Sequence, residues 1–270
     1  MAKHRRKWNE KTYLKLVSEG RGSGHGVDYK PWICIQDFAS KGMVSRVLGY
    51  KSGRIHHLMS GNETAFFYIS DFDQSVTDIR EQFPLLDVLD TVRIAESAGI
   101  RHPRDSASRY PYVMTTDFVL TTNGGLKACS IKESSALSDK RTIEKLEIER
   151  RYWKKKGVEW QLITEKDINF AKARNLEWVG RARSVPEMLP SNPALLGALS
   201  HLEALYAATR KPPVHIASET ERSFSLDAGM GITLFQYLIL TGRLDVDLEK
   251  PLDLSAVRGK RKEGSRHGAV

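Results

Sequence analysis

The sequence predicts an α/β protein: a mixed sheet flanked by helices, followed by a smaller, mostly helical unit. Three observations carry this. Helix and strand patterns alternate between residues 60 and 165. The run Thr122-Asn-Gly-Gly125 marks a tight antiparallel hairpin. After about residue 170 strand signals thin out and helical ones take over. Neither a helix bundle nor a β-sandwich reproduces that order.

Trp8, Tyr13, Leu14, Leu16 and Val17 give residues 8–19 the spacing of a short amphipathic helix, closed by Gly20-Arg-Gly-Ser-Gly-His-Gly26. No strand precedes this glycine-rich run and no Gly-Lys-Ser/Thr follows it. A flexible loop carrying Arg21 and His25 therefore fits better than a phosphate loop. Lys30–Phe38 and Val44–His57 read as extended, with turns at Ser40–Gly42 and Lys51–Gly53. Ser60 with Glu63 three positions on is a capping box that opens a helix over Asn62–Phe72, with Ala65, Phe66 and Ile69 on one side. Val76–Gln82 alternates as a strand and Pro84 ends it. A helix over Leu89–Ala98 precedes two strands, Val113–Leu120 and Lys127–Lys132, joined by the Asn-Gly-Gly turn. Arg141–Lys156 is a long helix with Ile143, Leu146, Arg150 and Trp153 down one face, and Trp160–Ile163 is a further strand.

Beyond residue 170 the pattern predicts helices over Ala171–Val179, Pro193–Thr209 and Ser225–Gly242, with Lys211-Pro-Pro213 breaking the chain before the last. Arg243–Leu254 alternates Leu244, Val246 and Leu248 against polar residues, like a small hairpin. Helices followed by a β-wing predict a winged-helix unit. The expected organisation is a sheet domain over 1–170, a winged-helix-like domain over 171–257 and a basic tail over 258–270.

At 270 residues, 40% of them hydrophobic and 28% charged, the chain can bury a sizeable core, and collagen-like or wholly disordered classes are excluded. The longest apolar runs, such as Ile232–Leu240, are too short to span a bilayer, and the basic start has no apolar segment behind it. Cys34 and Cys129 alone make neither a disulfide framework nor a four-cysteine zinc site, so a soluble, cytoplasmic protein is expected. The net charge of +9 is unevenly spread: residues 1–60 carry +8, residues 258–270 carry +4, and everything between is −3. Basic ends, with Arg258, Lys260, Arg261 and Lys262 in the tail, suit a polyanion such as DNA, although solubility alone could explain them.

One constellation carries chemistry. Glu63 stands in the first turn of its helix, Asp117 begins one hairpin strand, and Ser130-Ile131-Lys132 lies on its partner, where alternation gives Ser130 and Lys132 one face. Across an antiparallel hairpin these residues can converge. Hard carboxylate oxygens bind Mg²⁺, which polarises a phosphate and lowers the pKa of a bound water, while a neighbouring lysine supplies charge for the transition state. By pattern alone, a buried Asp117–Lys132 ion pair competes with this reading.

The stretches Asp78-Ile-Arg-Glu-Gln-Phe-Pro-Leu-Leu86, Thr115-Thr-Asp-Phe118 and Lys145-Leu-Glu-Ile-Glu-Arg-Arg-Tyr-Trp153 resemble the TnsA family, the endonuclease subunits of Tn7-type heteromeric transposases. His25-Gly-Val-Asp-Tyr-Lys-Pro-Trp32 and Ser52-Gly-Arg-Ile-His-His57 match the family's N-terminal portion. Gly231-Ile-Thr-Leu-Phe-Gln-Tyr-Leu238 and Val246-Asp-Leu-Glu-Lys-Pro251 match its C-terminal winged-helix domain more loosely. The resemblance implies a restriction-endonuclease-like catalytic domain and hydrolysis at the 5′ ends of a transposon, dependent on Mg²⁺ with Mn²⁺ as a substitute. A TnsB-type integrase-fold transposase would act at the 3′ ends, and a TnsC-type AAA+ regulator would activate the pair on DNA, which in a bacterium is the nucleoid. It further implies Glu63, Asp117 and Lys132 as catalytic positions, with Glu63, Asp117, the carbonyl of Ile131 and the side chain of residue 130 at the metal. Nucleases of this superfamily usually have an acid two residues before the lysine. Here Ser130 is a shorter, weaker ligand, for which a water-mediated contact is expected.

Arg21, His25, His56 and His57 are candidate DNA contacts. The histidines fit no zinc spacing, and phosphate contact or plain packing is expected instead. Glu149 is a candidate restraint on Lys132 or Arg150, and Cys129 a core residue. Two other readings remain open: a stand-alone nuclease of the same fold, and a catalytically silent DNA-binding adaptor.

Overall fold

The computed structural model describes residues 8–37 and 43–257. Arg258, Lys260, Arg261 and Lys262, named above as DNA contacts, lie outside the described residues, as does the turn at 40–42. The chain divides at Phe170/Ala171 into two compact units.

In the first unit a mixed sheet runs in the order β3-β4-β5-β6: β3 is Val76–Pro84, β4 Thr115–Thr122, β5 Gly125–Ile131 and β6 Glu159–Ile163. The first three are antiparallel, and β6 adds parallel to β5. Thr122 pairs with Gly125 across the expected Asn-Gly turn, with Gly125 at φ 115°. Helices cover both faces. α2 (Gly61–Phe72) brings Phe66 to within 5.3 Å of the Phe118 ring, centroid to centroid. α4 (Lys140–Lys155) packs Tyr152 and Trp153 into a cluster with Leu85, Val119 and Ala128. The buried stripe of α4 is Leu146, Ile148, Glu149, Tyr152 and Trp153; Ile143 and Arg150, expected within it, are exposed.

Val44–His57 forms a separate hairpin, β1 (Ser45–Leu48) with β2 (Ile55–Leu58), as its alternation implies. Lys30–Phe38, expected to be extended, instead contains a short 3₁₀ turn at Ile35–Asp37. Its backbone groups bond elsewhere, with Trp32 N donating to Gln82 O and Cys34 N to the Asp37 carboxylate. The glycine-rich run is also more fixed than expected. Gly22 N donates to Lys30 O, and a Cβ on Gly22 would sit 2.1 Å from the Pro84 ring, so only glycine fits. The helix α1 (Glu10–Ser18), with Trp8 just before it, rests on an aromatic cluster in which Trp8 stacks on Tyr112 at 5.7 Å.

The second unit is helical: α5 (Phe170–Gly180), α6 (Val185–Met188), α7 (Ala194–Ala208), α8 (Pro213–Phe224) and α9 (Met230–Leu240). α8 was not expected, because Pro212-Pro213 reads as a break. Pro213 instead occupies the first helical position, where its missing N–H and fixed φ cost nothing. The hairpin expected over Arg243–Leu254 is absent: no residue of 241–257 is in a strand. The carbonyls of Leu248 and Lys250, which a ladder would need, accept from the Asn175 amide at 2.8 and 2.7 Å. Among the described residues, no helix is long and apolar enough to cross a membrane.

Candidate active site

The site begins at the N-terminus of α2. Ser60 caps the helix by accepting from Glu63 N at 3.1 Å, as the capping-box pattern predicts, but the Glu63 carboxylate does not close that box. It accepts from Met59 N at 2.9 Å and from the Ser60 hydroxyl at 3.2 Å, and Gln82 Nε2 donates to it at 3.4 Å. The side chain is buried. Burial first, and then the nearby charge of Asp117, push the Glu63 carboxyl well above the usual carboxylate range.

Asp117 lies where the β4–β5 ladder ends, one step beyond the Phe118–Cys129 pair. Its Oδ2 accepts from Ile131 N and from Lys132 Nζ, both at 2.7 Å, so the carboxylate replaces a ladder partner. Lys132 also donates to Ile131 O at 2.9 Å. Burial works against its charge, but Asp117 outweighs it and the pKa is raised, so Lys132 is an ammonium. Asp117 and Lys132, with Thr115, Lys145 and Glu149, line a cavity of about 350 Å³. Glu63 lies off that wall. Its hydrogen-bond partners Met59 and Gln82 line a second cavity of about 500 Å³, and Tyr112 and Val113 border both.

Glu149 is the residue that sequence reasoning undervalued. It is buried, and its Oε1 accepts from Thr116 Oγ1 and Ser130 Oγ, both at 2.6 Å; Trp153 Nε1 supports Thr116 at 2.7 Å. Burial, then the charge of Asp117, raise its pKa to about 7. The expected restraint on Arg150 is absent, since Arg150 pairs with Glu147 on the exposed side. The spacing Leu146–Glu149–Trp153, three then four residues, was the available signal that Glu149 faces inward. Ser130 is buried with its hydroxyl engaged twice, donating to Glu149 and accepting from Trp160 Nε1 at 3.1 Å. Both bonds hold the hydroxyl within the protein, on the side of Glu149 and Trp160.

The expected DNA contacts near the N-terminus scatter. His56 is fully buried: its Nδ1 meets Glu81 Oε2 at 2.8 Å and its Nε2 meets the Ser52 hydroxyl at 2.7 Å. It cannot reach a phosphate, so that expectation is corrected to plain packing. His57 is half-buried, accepts from Ile35 N at 3.3 Å, and burial lowers its pKa, which makes it a poor cation. Arg21 is turned inward onto Asp37 at 2.5 Å and Trp32 O at 3.0 Å, a clamp on the loop at residue 32. His25 stays exposed, with Nδ1 3.7 Å from Asp78. Cys129 is buried in the sheet as expected.

Among the described residues, no three His, Cys, Asp or Glu side chains form a ready-made metal cluster. Asp117 and Lys132 in contact, the Ile131 carbonyl beside Lys132, and a buried Glu63 on which the Asp117 charge also acts are groups that a metal-dependent phosphodiesterase could use. The family description "TnsA-like endonuclease N terminal" matches residues 73–165, which span the whole sheet and include Asp117, Lys132 and Glu149 but not Glu63. Over 253 residues the chain is 36% identical to the Escherichia coli protein named "Transposon Tn7 transposition protein TnsA", covering 93% of this chain and 90% of that protein.

The chain belongs to the TnsA family. As a TnsA-type endonuclease it is an enzyme of DNA transposition. The similarity runs through both units, so family membership extends to the helical C-terminal part as well as the sheet. An endonuclease of the TnsA type works with a divalent metal.

Proposed function

We propose that this endonuclease hydrolyses one DNA strand at each 5′ end of a transposon, with Glu63, Asp117 and Lys132 at the reacting phosphate. The observation carrying the reading is the Lys132 ammonium 2.7 Å from Asp117 Oδ2, together with a second carboxylate, Glu63, whose pKa burial and then the Asp117 charge raise. Two like charges held in that way are relieved by a cation. The donor set, carboxylate oxygens and a backbone carbonyl with no thiolate or imidazole, fits Mg²⁺ or Mn²⁺ better than zinc. Glu63, Asp117 and the Ile131 carbonyl would hold it, and when bound it would polarise the scissile phosphate and acidify a water.

The chain's own residues do the rest. Ile131 N fixes the Asp117 carboxylate, which lines the cavity. Lys132, kept protonated by Asp117, meets the charge that develops on the phosphate oxygens. Lys145 at the rim of the same cavity offers a cation to the flanking backbone. Glu149 ties Thr116 and Ser130 together under the hairpin, so that Asp117 and Lys132 stay in register. His25 and the basic ends supply phosphate contacts without sequence preference, so recognition of the ends falls to a TnsB-type transposase and activation to a TnsC-type regulator.

The test is cleavage of a plasmid carrying the element's own ends, with Mg²⁺ and the neighbouring transposase, each new 5′ terminus mapped. Breaks at or just outside the 5′ ends that vanish with Asp117→Ala are expected. Unchanged cleavage by that variant would sink the site assignment, and cutting by the lone protein at unrelated positions would overturn the transposon-end reading.

A further inference from the structure

We infer that Gln82 is a positioning residue for the metal site, fixing which oxygen of Glu63 faces the cation; this rests on the reading of Glu63 as a metal-holding carboxylate. Gln82 sits inside β3, between Glu81, which pairs with Phe118, and Phe83, which pairs with Thr116. By register it stands opposite Asp117. Its neighbours are ordinary strand residues, yet Gln82 itself has φ 47°, the left-handed region that side chains other than glycine rarely adopt. A residue held there inside a strand persists only when its surroundings require it, and such residues gather at functional sites.

The reversal does two things. It takes the Gln82 carbonyl out of the ladder, where it accepts from Trp32 N at 3.2 Å. It also brings the buried side-chain amide between two site residues: Nε2 donates to Glu63 Oε2 at 3.4 Å, and Oε1 accepts from Thr115 Oγ1 at 3.5 Å. With Met59 N at 2.9 Å on the same oxygen, Oε2 of Glu63 has two donors. Among the described residues the other oxygen has only the Ser60 hydroxyl, a rotor 3.2 Å away that can turn aside. Oε1 is thus the oxygen presented to a cation, and Gln82 keeps the carboxylate from rotating end for end. A neutral amide is suited to this, since a lysine there would neutralise the carboxylate and an acid would repel it. Both amide contacts are long, so the contribution lies in orientation, not in bond strength.

The experiment measures Mn²⁺ binding to the full chain by electron paramagnetic resonance, without DNA, for wild type, Gln82→Gly, Gln82→Ala and Asp117→Ala, with thermal unfolding recorded alongside. Glycine relieves the backbone and alanine keeps the strain, while both remove the amide. We expect both Gln82 variants to bind Mn²⁺ about tenfold more weakly, with Gln82→Gly unfolding at or above the wild-type temperature and Gln82→Ala below it. In cleavage, the Mn²⁺ concentration for half-maximal rate should rise by the same factor while the saturated rate stays near wild type. Gln82→Gly binding Mn²⁺ as wild type does would overturn the positioning role alone. A wild type whose Mn²⁺ binding is absent, or is unaffected by Asp117→Ala, would overturn the metal reading and this role with it.

Discussion

Two buried glutamates on the same sheet domain experience opposite electrostatics. Glu81 in β3 is fully buried, and burial alone would raise its pKa. Instead Arg54, bonded to it through both terminal nitrogens, and His56 at 2.8 Å pull it down to about 2. Glu149 in α4 is as deeply buried, but two neutral hydroxyls face it and the charge that acts on it most is the like charge of Asp117, so burial and then Asp117 raise its pKa to about 7. Burial is common to both; the partners decide. Around Glu81 every charge is compensated within the protein, and the cluster locks the β1–β2 hairpin and the loop at Gly26 onto β3. Around Glu63, Asp117 and Glu149 negative charge exceeds positive, which leaves something for a cation to do. The first arrangement stabilises the fold, and the second costs stability and is the one proposed here for chemistry.

The comparison breaks most sharply by separating activity from stability. Asp117→Ala should reduce end cleavage by about a thousandfold or more, leave DNA binding near wild type, and bring the Glu149 pKa down by removing its like-charged neighbour. Cleavage assays and a pH titration of the metal-free protein check both halves. Arg54→Ala should do the reverse. It strands a buried carboxylate and should cost about 3–5 kcal/mol of stability, read by urea denaturation. If it left stability untouched while abolishing cleavage, the assignment of Glu81 to the fold would fail.

A smaller effect comes from pH. Folded Glu149 keeps its proton up to about pH 7, whereas in the unfolded chain it ionises near the ordinary 4.5. The folded state therefore binds more protons in that window, and metal-free stability should fall as pH rises through it, on the order of 3 kcal/mol for this group. Glu149→Gln should flatten the fall, leaving the share that Glu63 contributes in the same sense. Glu81 acts on the acid side: its stabilisation is complete above pH 4.5 and lost as pH drops toward 2. Stability curves across pH 2–8 for both proteins test the signs. Smallest is Ser130→Ala, which removes one of the two hydroxyls on Glu149. It should cost about 1 kcal/mol and raise the Glu149 pKa further, with cleavage retained; loss of all cleavage would restore Ser130 to the metal.

Local chemistry was legible wherever it was local in the chain. Ser60 with Glu63, the Asn-Gly turn between β4 and β5, and the alternation of β3 each act over a few residues, and the structure forms all three elements. The hairpin pattern also predicted that Asp117 and Lys132 converge, and the structure joins them at 2.7 Å. Legibility failed where a residue's partner lay far away. Pro213 reads as a breaker until its place at a helix start is known, and residues 243–254 alternate like a hairpin although Asn175 takes their carbonyls.

The sequence by itself therefore determined most helices and strands of the sheet domain and the family, and it singled out the three residues proposed for the reacting centre, because each depends on short-range pattern or on motifs. Only the tertiary structure decided the environments. His56 and Glu81 are 25 positions apart and meet as a buried pair, as do Ser130 and Glu149 at 19, and neither member announces the other. Whether a charge is compensated depends on every group packed around it, and those groups arrive from elements distant in the chain.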